Sequence, residues 1–420
     1  MQMRSDDVNR VVDRNLCPAE VKDLLIDLVR VPSPQTELLE DEPQVKAFIR
    51  DVVAPYLRSA GVDNIRFDSM GNLIARCGRG RSEGGAGVGR SLMLIGNAMC
   101  QPPNDMPEPY AGRIVDGSQY GLPGEAVLGR GASEQKATLA AMLSAVKAVV
   151  RSGESLDGTL VFVCCTSGES GKHDAIRNVV EREGVRADIA VLCGSSNMIS
   201  LGNRGRVDIH ISVIGEASHS SAPSKGANAI TGAVKVMEKL MGIRLSGEDP
   251  NLGRQTLTIN HIRSYPDSTH TVQGRCDLTL DRRLLPGEDP IQVFEAIRQV
   301  VSEVDGMLDP VSGKPIRVET RLGAYMYPSL VAADSTVVKA LARASRIASG
   351  SEPPMVYSAS AFDQGYLNDM GIETCNYGPG EESFAHTNMD MASVDRTVEA
   401  ARVYACLVLD YLGKGDNVGR

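Results

Sequence analysis

Apolar residues recur every three or four positions at Val21, Leu24, Leu25, Leu28 and Val29, one stripe of a helix that opens at Pro18 and stops at Val31-Pro32-Ser33-Pro34. A second stripe, Val45, Phe48, Ile49, Val52 and Val53, predicts another helix after it. The pattern then shortens. Apolar runs at 72–75, 91–95, 159–165 and 189–193 sit between Gly or polar clusters and read as strands, and helical spacing from about Gln135 and from about Ser170 separates the last three. Strands alternating with helices predict an α/β fold, a mostly parallel sheet whose two faces are covered by helices.

Between 206 and 320 the rhythm changes to strand 206–213, helix 227–241, strands 256–263 and 275–283, helix 290–304 and strand 315–320. That βαββαβ order is ferredoxin-like. The earlier style resumes at Val356, 374–377 and a last helix over 393–412, so a small domain at 206–320 is inserted between two parts of a larger one, 1–205 and 321–420. The stretch 78–89, rich in Gly, Arg and Ser, reads as a surface loop.

A length of 420 residues suits two domains, and 42% hydrophobic with 23% charged residues is ordinary for a soluble enzyme. The net charge of −9 argues against nucleic acid as a partner, because binding a phosphate backbone needs a basic footprint. No apolar run reaches the length of about 18 residues that crosses a bilayer, and the first residues lack a signal-peptide pattern, so no membrane partner and a cytoplasmic location are expected. Nine cysteines without a Cys-x-x-Cys pair read as reduced, mostly buried thiols.

Ligands of open α/β sheets gather beyond the carboxyl ends of the strands. Four segments lie there or at a helix start: 96–99, 129–136, 167–171, and 377–380 leading to His386. Glu134 and Glu169 each precede a helix, where a carboxylate serves equally as a cap for free N–H groups or as a metal ligand. A lone His386 reads as a structural hydrogen-bonding residue or a ligand. Taken together, two acids and a histidine at strand ends point to a metal site or an acid-base site.

These segments also carry a resemblance. Gly-Arg-Gly-Ala-Ser-Glu-Gln-Lys at 129–136, Gly-Glu-Ser-Gly at 168–171, His-Ser-Ser-Ala-Pro-Ser-Lys-Gly-Ala-Asn-Ala-Ile at 219–230, Arg-Leu-Leu-Pro-Gly-Glu-Asp at 283–289 and Tyr-Gly-Pro-Gly at 377–380 resemble the di-zinc family of acetylornithine deacetylase, succinyl-diaminopimelate desuccinylase and glutamate carboxypeptidase. The resemblance runs along nearly the whole chain and implies a catalytic α/β domain with an inserted dimerising lid. It assigns one metal to Glu134, Glu169 and His386. The positions of the second metal read Asn97, Met99 and Gly194, and the general base is replaced by Gly168, so that half of the site is dismantled. His219 falls where the family reaches a substrate group across a dimer interface. His270 falls at a substrate-binding position, and Arg283 reads as a carboxylate contact or a surface ion pair.

One histidine and two carboxylates hold a divalent ion while leaving positions open for water and substrate, and mixed N and O donors suit Mn, Zn, Co or Fe. With three ligands the ion is expected to be weakly held. Loss of the base with retention of a metal suits a substrate whose reacting carbon is already electrophilic. The expected activity is therefore metal-dependent hydrolysis of a C–N bond. The chain also resembles a nitroaromatic aminohydrolase related to this family, and that resemblance, not the spacing, implies deamination of 5-nitroanthranilate to 5-nitrosalicylate and ammonia by nucleophilic aromatic substitution. A narrow amide or carbamoyl hydrolase and a non-catalytic ligand-binding relative are the alternatives. The expected partners are a small aromatic or amide carboxylate, contacted by Asn97, His219, His270 and Arg283, and a second copy of the chain through the lid, as a homodimer or a larger homo-oligomer.

Overall fold

A computed structural model describes residues 5–38, 41–78, 89–168 and 171–413, with Glu134 given by its backbone alone. The loop expected at 78–89 lies outside the described residues except at its ends. The chain divides into two compact units: Met1–Gly202 with Val331–Tyr357 and Leu367–Arg420, and Asn203–Leu330 with Ser358–Tyr366.

The first unit contains strands β1 (Ile65–Phe67), β2 (Leu73–Gly78), β3 (Ser91–Asn97), β4 (Arg113–Asp116), β5 (Glu125–Leu128), β6 (Thr159–Cys165), β7 (Ile189–Leu192) and β8 (Ile199–Asn203). The second supplies β9 (Gly205–Ile214), β10 (Ser218–His219), β11 (Thr256–Tyr265), β12 (Thr271–Val272), β13 (Arg275–Leu284) and β14 (Arg317–Met326). The chain then returns to the first unit with β15 (Glu373–Asn376) and β16 (Met391–Ser393).

Strands of the large sheet run in the order β1-β2-β6-β3-β7-β15-β8. Only its centre is parallel, β6 with β3, β3 with β7 and β7 with β15, whereas β1 and β2, β2 and β6, and β15 and β8 pair antiparallel. The expected mostly parallel sheet is thus a mixed one. A connection as short as the turn from Phe67 to Leu73 can join only antiparallel neighbours, since a parallel pair needs a crossover of a dozen or more residues. Every residue of β3, β6 and β7 is buried, which explains why they read as continuous apolar runs rather than alternating ones. Helices α1 (Ser5–Asn15), α2 (Pro18–Arg30), α3 (Ala137–Ser152) and a long C-terminal helix, Val394–Leu412, complete this core, where Leu139, Leu143, Tyr404 and Leu407 pack with Leu92, Leu94 and Phe162. α1 escaped the pattern reading because only Val8 and Val12 of its residues are buried. The helix expected from Ser170 begins at Asp174.

In the second unit the order β11-β13-β9-β14 is the ferredoxin-like antiparallel arrangement. Here burial alternates. Val207, Ile209, Ile211 and Val213 of β9 face the helices Ala229–Met241 and Pro290–Ser302, meeting Val236, Leu240, Phe294 and Val301, while the intervening residues line the other face. No helix among the described residues is long and apolar enough to cross a membrane.

Candidate active site

The carboxyl ends of β3, β6, β7 and β15 converge on loops that touch backbone to backbone. Ala98 N–H donates to Cys165 O at 2.9 Å, Tyr377 N–H to Leu192 O at 3.1 Å, Ser196 N–H to Gly380 O at 2.6 Å and Asn197 N–H to Gly378 O at 2.8 Å. The glycines of the 377–380 segment make this approach possible. A Cβ on Gly378 would lie 2.7 Å from Thr138 Oγ1 and 2.9 Å from Gly194 N.

One side of the site is knitted by buried polar bonds. Asp390, fully buried, accepts from Gly131 N–H at 2.6 Å, from Ser133 N–H at 2.8 Å and from Arg130 Nη1 at 3.3 Å, and its carbonyl accepts from Gly129 N–H at 2.8 Å. Arg130 is also fully buried, so the pair is a desolvated ion pair completed by backbone donors. Ser133 Oγ donates to Glu381 O and accepts from Glu381 N–H, both at 2.6 Å. These bonds tie the segment that carries Glu134 to the segment that carries His386. Gly131, at φ 84°, turns the chain into a wide helical turn over Ala132–Lys136, the kind of turn found at functional sites. Lys136 of the same motif is structural: its buried Nζ donates to Val31 O at 2.7 Å and lies over the Phe48 ring. Asp390 and Arg130 had no assigned role in the sequence reading. The signal available was an acid four residues beyond His386 in the same loop.

Glu381 continues this side. Its carboxylate is ion-paired with Arg396 and accepts from Ser196 Oγ at 3.2 Å, yet burial pushes its pKa up, with Arg396 acting in the opposite direction.

The other side is filled differently. Asn97, 3% exposed at the end of β3, lies against Gly168. A Cβ on Gly168 would overlap Asn97 Nδ2 and stand 2.6 Å from its Cγ and 2.9 Å from its Oδ1. The Nδ2 faces Cys193 Sγ at 3.9 Å, and the buried Oδ1 has no hydrogen-bond partner among the described residues. At Gly194 a Cβ would stand 2.7 Å from the backbone of Tyr377. The Tyr377 backbone leaves no room for an acid at Gly194, and the Asn97 amide occupies the room for one at Gly168.

Among the residues expected to bind metal, the Glu134 side chain and Glu169 lie outside the described residues. His386 is exposed and adopts φ 65°, a left-handed backbone that non-glycine residues keep mainly where surrounding structure imposes it. No group of three His, Cys, Asp or Glu side chains among the described residues is placed to hold a metal, and the expected trio includes two carboxylates outside that set. His173, buried and at φ 60°, immediately precedes the helix that begins at Asp174. In the second unit His219 and His270 are brought together, both exposed, by the β10–β12 ribbon, where His219 pairs with Thr271 and Ser220 N–H donates to His270 O at 3.0 Å. Arg283 stands apart on β13, half-buried, with Nε 2.8 Å from Asp281 of its own strand.

Comparison with known proteins places this geometry. Residues 201–306 match the peptidase dimerisation domain of the M20 group. The chain is 27% identical over 404 residues to the uncharacterized protein YgeY of Escherichia coli K12, covering 94% of this chain and 95% of that one. It is 27% identical over 370 residues to the acetylornithine deacetylase of Myxococcus xanthus, covering 85% and 87%. An M20 family metallo-carboxypeptidase from Sulfolobus solfataricus shares the fold, with a TM-score of 0.71 at 18% identity over 93% of this chain and 99% of that one. The chain is a homologue of the acetylornithine deacetylases and succinyl-diaminopimelate desuccinylases and carries the M20 peptidase dimerisation domain.

Proposed function

We propose that this chain hydrolyses a C–N bond at a carbon that is already electrophilic, and that its specific reaction is the deamination of 5-nitroanthranilate to 5-nitrosalicylate and ammonia. The corner at Gly168 and Asn97 carries the reading: the position of the carboxylate base is a glycine, and the neutral amide of Asn97 packs against it. An amide substrate needs a base to activate water and then protonate the leaving amine. A ring carbon para to a nitro group needs less help in the addition, because the nitro group accepts the charge of the intermediate, and the departing amine takes up the proton given by the attacking water, so that ammonia leaves.

Glu134, Glu169 and His386 form a donor set of two carboxylates and an imidazole, which fits one divalent transition metal ion, Mn, Zn, Co or Fe, held weakly. Such an ion supplies Lewis-acid activation of water. His219 reaches a substrate group across the dimer interface, His270 and Arg283 are the candidate contacts to the substrate carboxylate, and Asn97 faces the reacting nitrogen. The enzyme works as a homodimer through the lid, or as a larger homo-oligomer. The deacetylase and desuccinylase relatives favour a second reading, a narrow amide or carbamoyl hydrolase.

An ammonia-release assay with added Mn separates the two. Release from 5-nitroanthranilate, with N-acyl and N-carbamoyl amino acids inert, is the expected outcome. Turnover of the acyl or carbamoyl series alone would establish the second reading instead. Calorimetric titration of chelator-treated protein is expected to give one ion per chain, and two ions would overturn the metal assignment.

A further inference from the structure

We infer that Asn97 is the specificity-determining residue of this site: its buried Oδ1 accepts a hydrogen bond from an N–H of the substrate, and it can stand there only because position 168 has no side chain. The inference rests on the proposed C–N chemistry and deepens it by naming the substrate feature that is read, a nitrogen bearing at least one hydrogen.

The argument begins with the unmatched end of the amide. A buried oxygen without a donor costs about 1–3 kcal/mol, so evolution retains one where a partner arrives. Asn97 Oδ1 is such an atom, and it stands at the carboxyl end of a central strand, where ligands of this fold class bind. The other end of the amide is oriented by Cys193 Sγ, 3.9 Å from Nδ2, which turns Oδ1 away from that thiol. Overlap with any Cβ at Gly168 then makes the two positions a matched pair. A side chain at 168 would displace the amide, and the amide excludes a side chain. A neutral acceptor reads an N–H without adding the charge of a carboxylate, which would repel a carboxylate-bearing substrate. The oxygen therefore discriminates by donor. A site built around a hydrogen bond rejects the analogue lacking it, because its own group is then left buried and unpaired.

Two measurements test this. The first needs no substrate: Gly168→Ala should lower the melting temperature of the wild-type chain by several degrees and have a much smaller effect in an Asn97→Ala background. Equal effects in both backgrounds would show that the two positions do not meet.

The second compares each parent compound with its counterpart lacking the N–H. The pairs are 5-nitroanthranilate with 5-nitro-N,N-dimethylanthranilate, and N-acetylglycine with N-acetylsarcosine, using whichever parent is turned over, or calorimetric binding if neither is. Wild type should favour the parent by about tenfold or more, and the near-isosteric Asn97→Leu should bring that ratio close to one, whereas Asn97→Asp keeps an acceptor and part of the preference. A ratio unchanged in Asn97→Leu would assign Oδ1 to a structural water and overturn the inference. Failure of 5-nitroanthranilate as substrate, with the N-acetyl pair still discriminated through Asn97, would overturn the proposed reaction and leave this role standing.

Discussion

The two sides of the strand-end site solve the same packing problem with opposite materials. On the side of the 129–136 and 380–390 segments, charged and polar groups are buried and mostly given partners: Asp390 gathers Arg130 and two backbone N–H groups, and Ser133 exchanges bonds with the backbone of Glu381, while Arg130 Nε has no hydrogen-bond partner among the described residues. On the side of Asn97, Gly168 and Gly194, side chains are shed, backbones close to contact, and one amide oxygen is left unmatched. A scaffold that still has to place charged ligands keeps the expensive network that fixes them, because a loose support translates into a loose site. Where ligands are gone, the cheaper filling is close packing. This contrast supports reading the first side as the one that still holds an ion and the second as the one remade for substrate.

The sharpest way to break the comparison is to cut the network. Asp390→Ala leaves Arg130 buried and unpaired, and breaking a buried pair in this way costs about 3–5 kcal/mol. Chemical denaturation should register a loss of that size, and calorimetry should show weaker binding of Mn to the variant. A loss below about 1 kcal/mol would mean the network is ornamental and the contrast between the two sides is false.

Much of this was legible in the sequence, for identifiable reasons. The central strands announce themselves because burial on both faces leaves no polar residue in them, and the lid strands because β9 alternates between helices and an open face. Asn97, Gly168 and Gly194 stand out in the sequence as departures at readable motif positions. What could not be read is who fills the space. That Asn97 rests on Gly168 depends on the register of β3 beside β6, which aligns Asn97 with Cys165 and is a property of the folded sheet. Asp390 was equally hidden. Its partners Gly131 and Ser133 are more than 250 residues away, and its place four residues beyond His386 says nothing of which groups it would meet.

A smaller effect is expected on the other side. Gly194→Ala places a methyl group 2.7 Å from the Tyr377 backbone, and overpacking of this kind costs about 1–3 kcal/mol. Thermal unfolding should fall accordingly while metal stoichiometry stays the same, because the backbone at 377 is tied to β7 rather than to the Asp390 network. A change in metal stoichiometry would show that the two sides are coupled.

The smallest expected effect is a pH dependence, and it sharpens the contrast by asking what the polar side costs. Glu381 has its pKa raised above 4.5 by burial, against the opposing pull of Arg396, Ser196 Oγ being its other partner. For an acid whose pKa is higher folded than unfolded, the native state binds the proton more tightly. Stability from this group is thus fully present below about pH 4.5 and is lost as the pH rises through the folded value. Glu381→Gln removes the titration while keeping the shape, at a constant cost from leaving Arg396 with a neutral partner. The difference in unfolding free energy between wild type and variant, measured by denaturation from pH 4 to 8, should therefore drift in favour of the variant as the pH rises and then level off. Other titrating groups contribute equally to both proteins and cancel in the difference. A drift of opposite sign would mean that Arg396 outweighs burial, so that the ionised carboxylate strengthens the network instead of being tolerated by it.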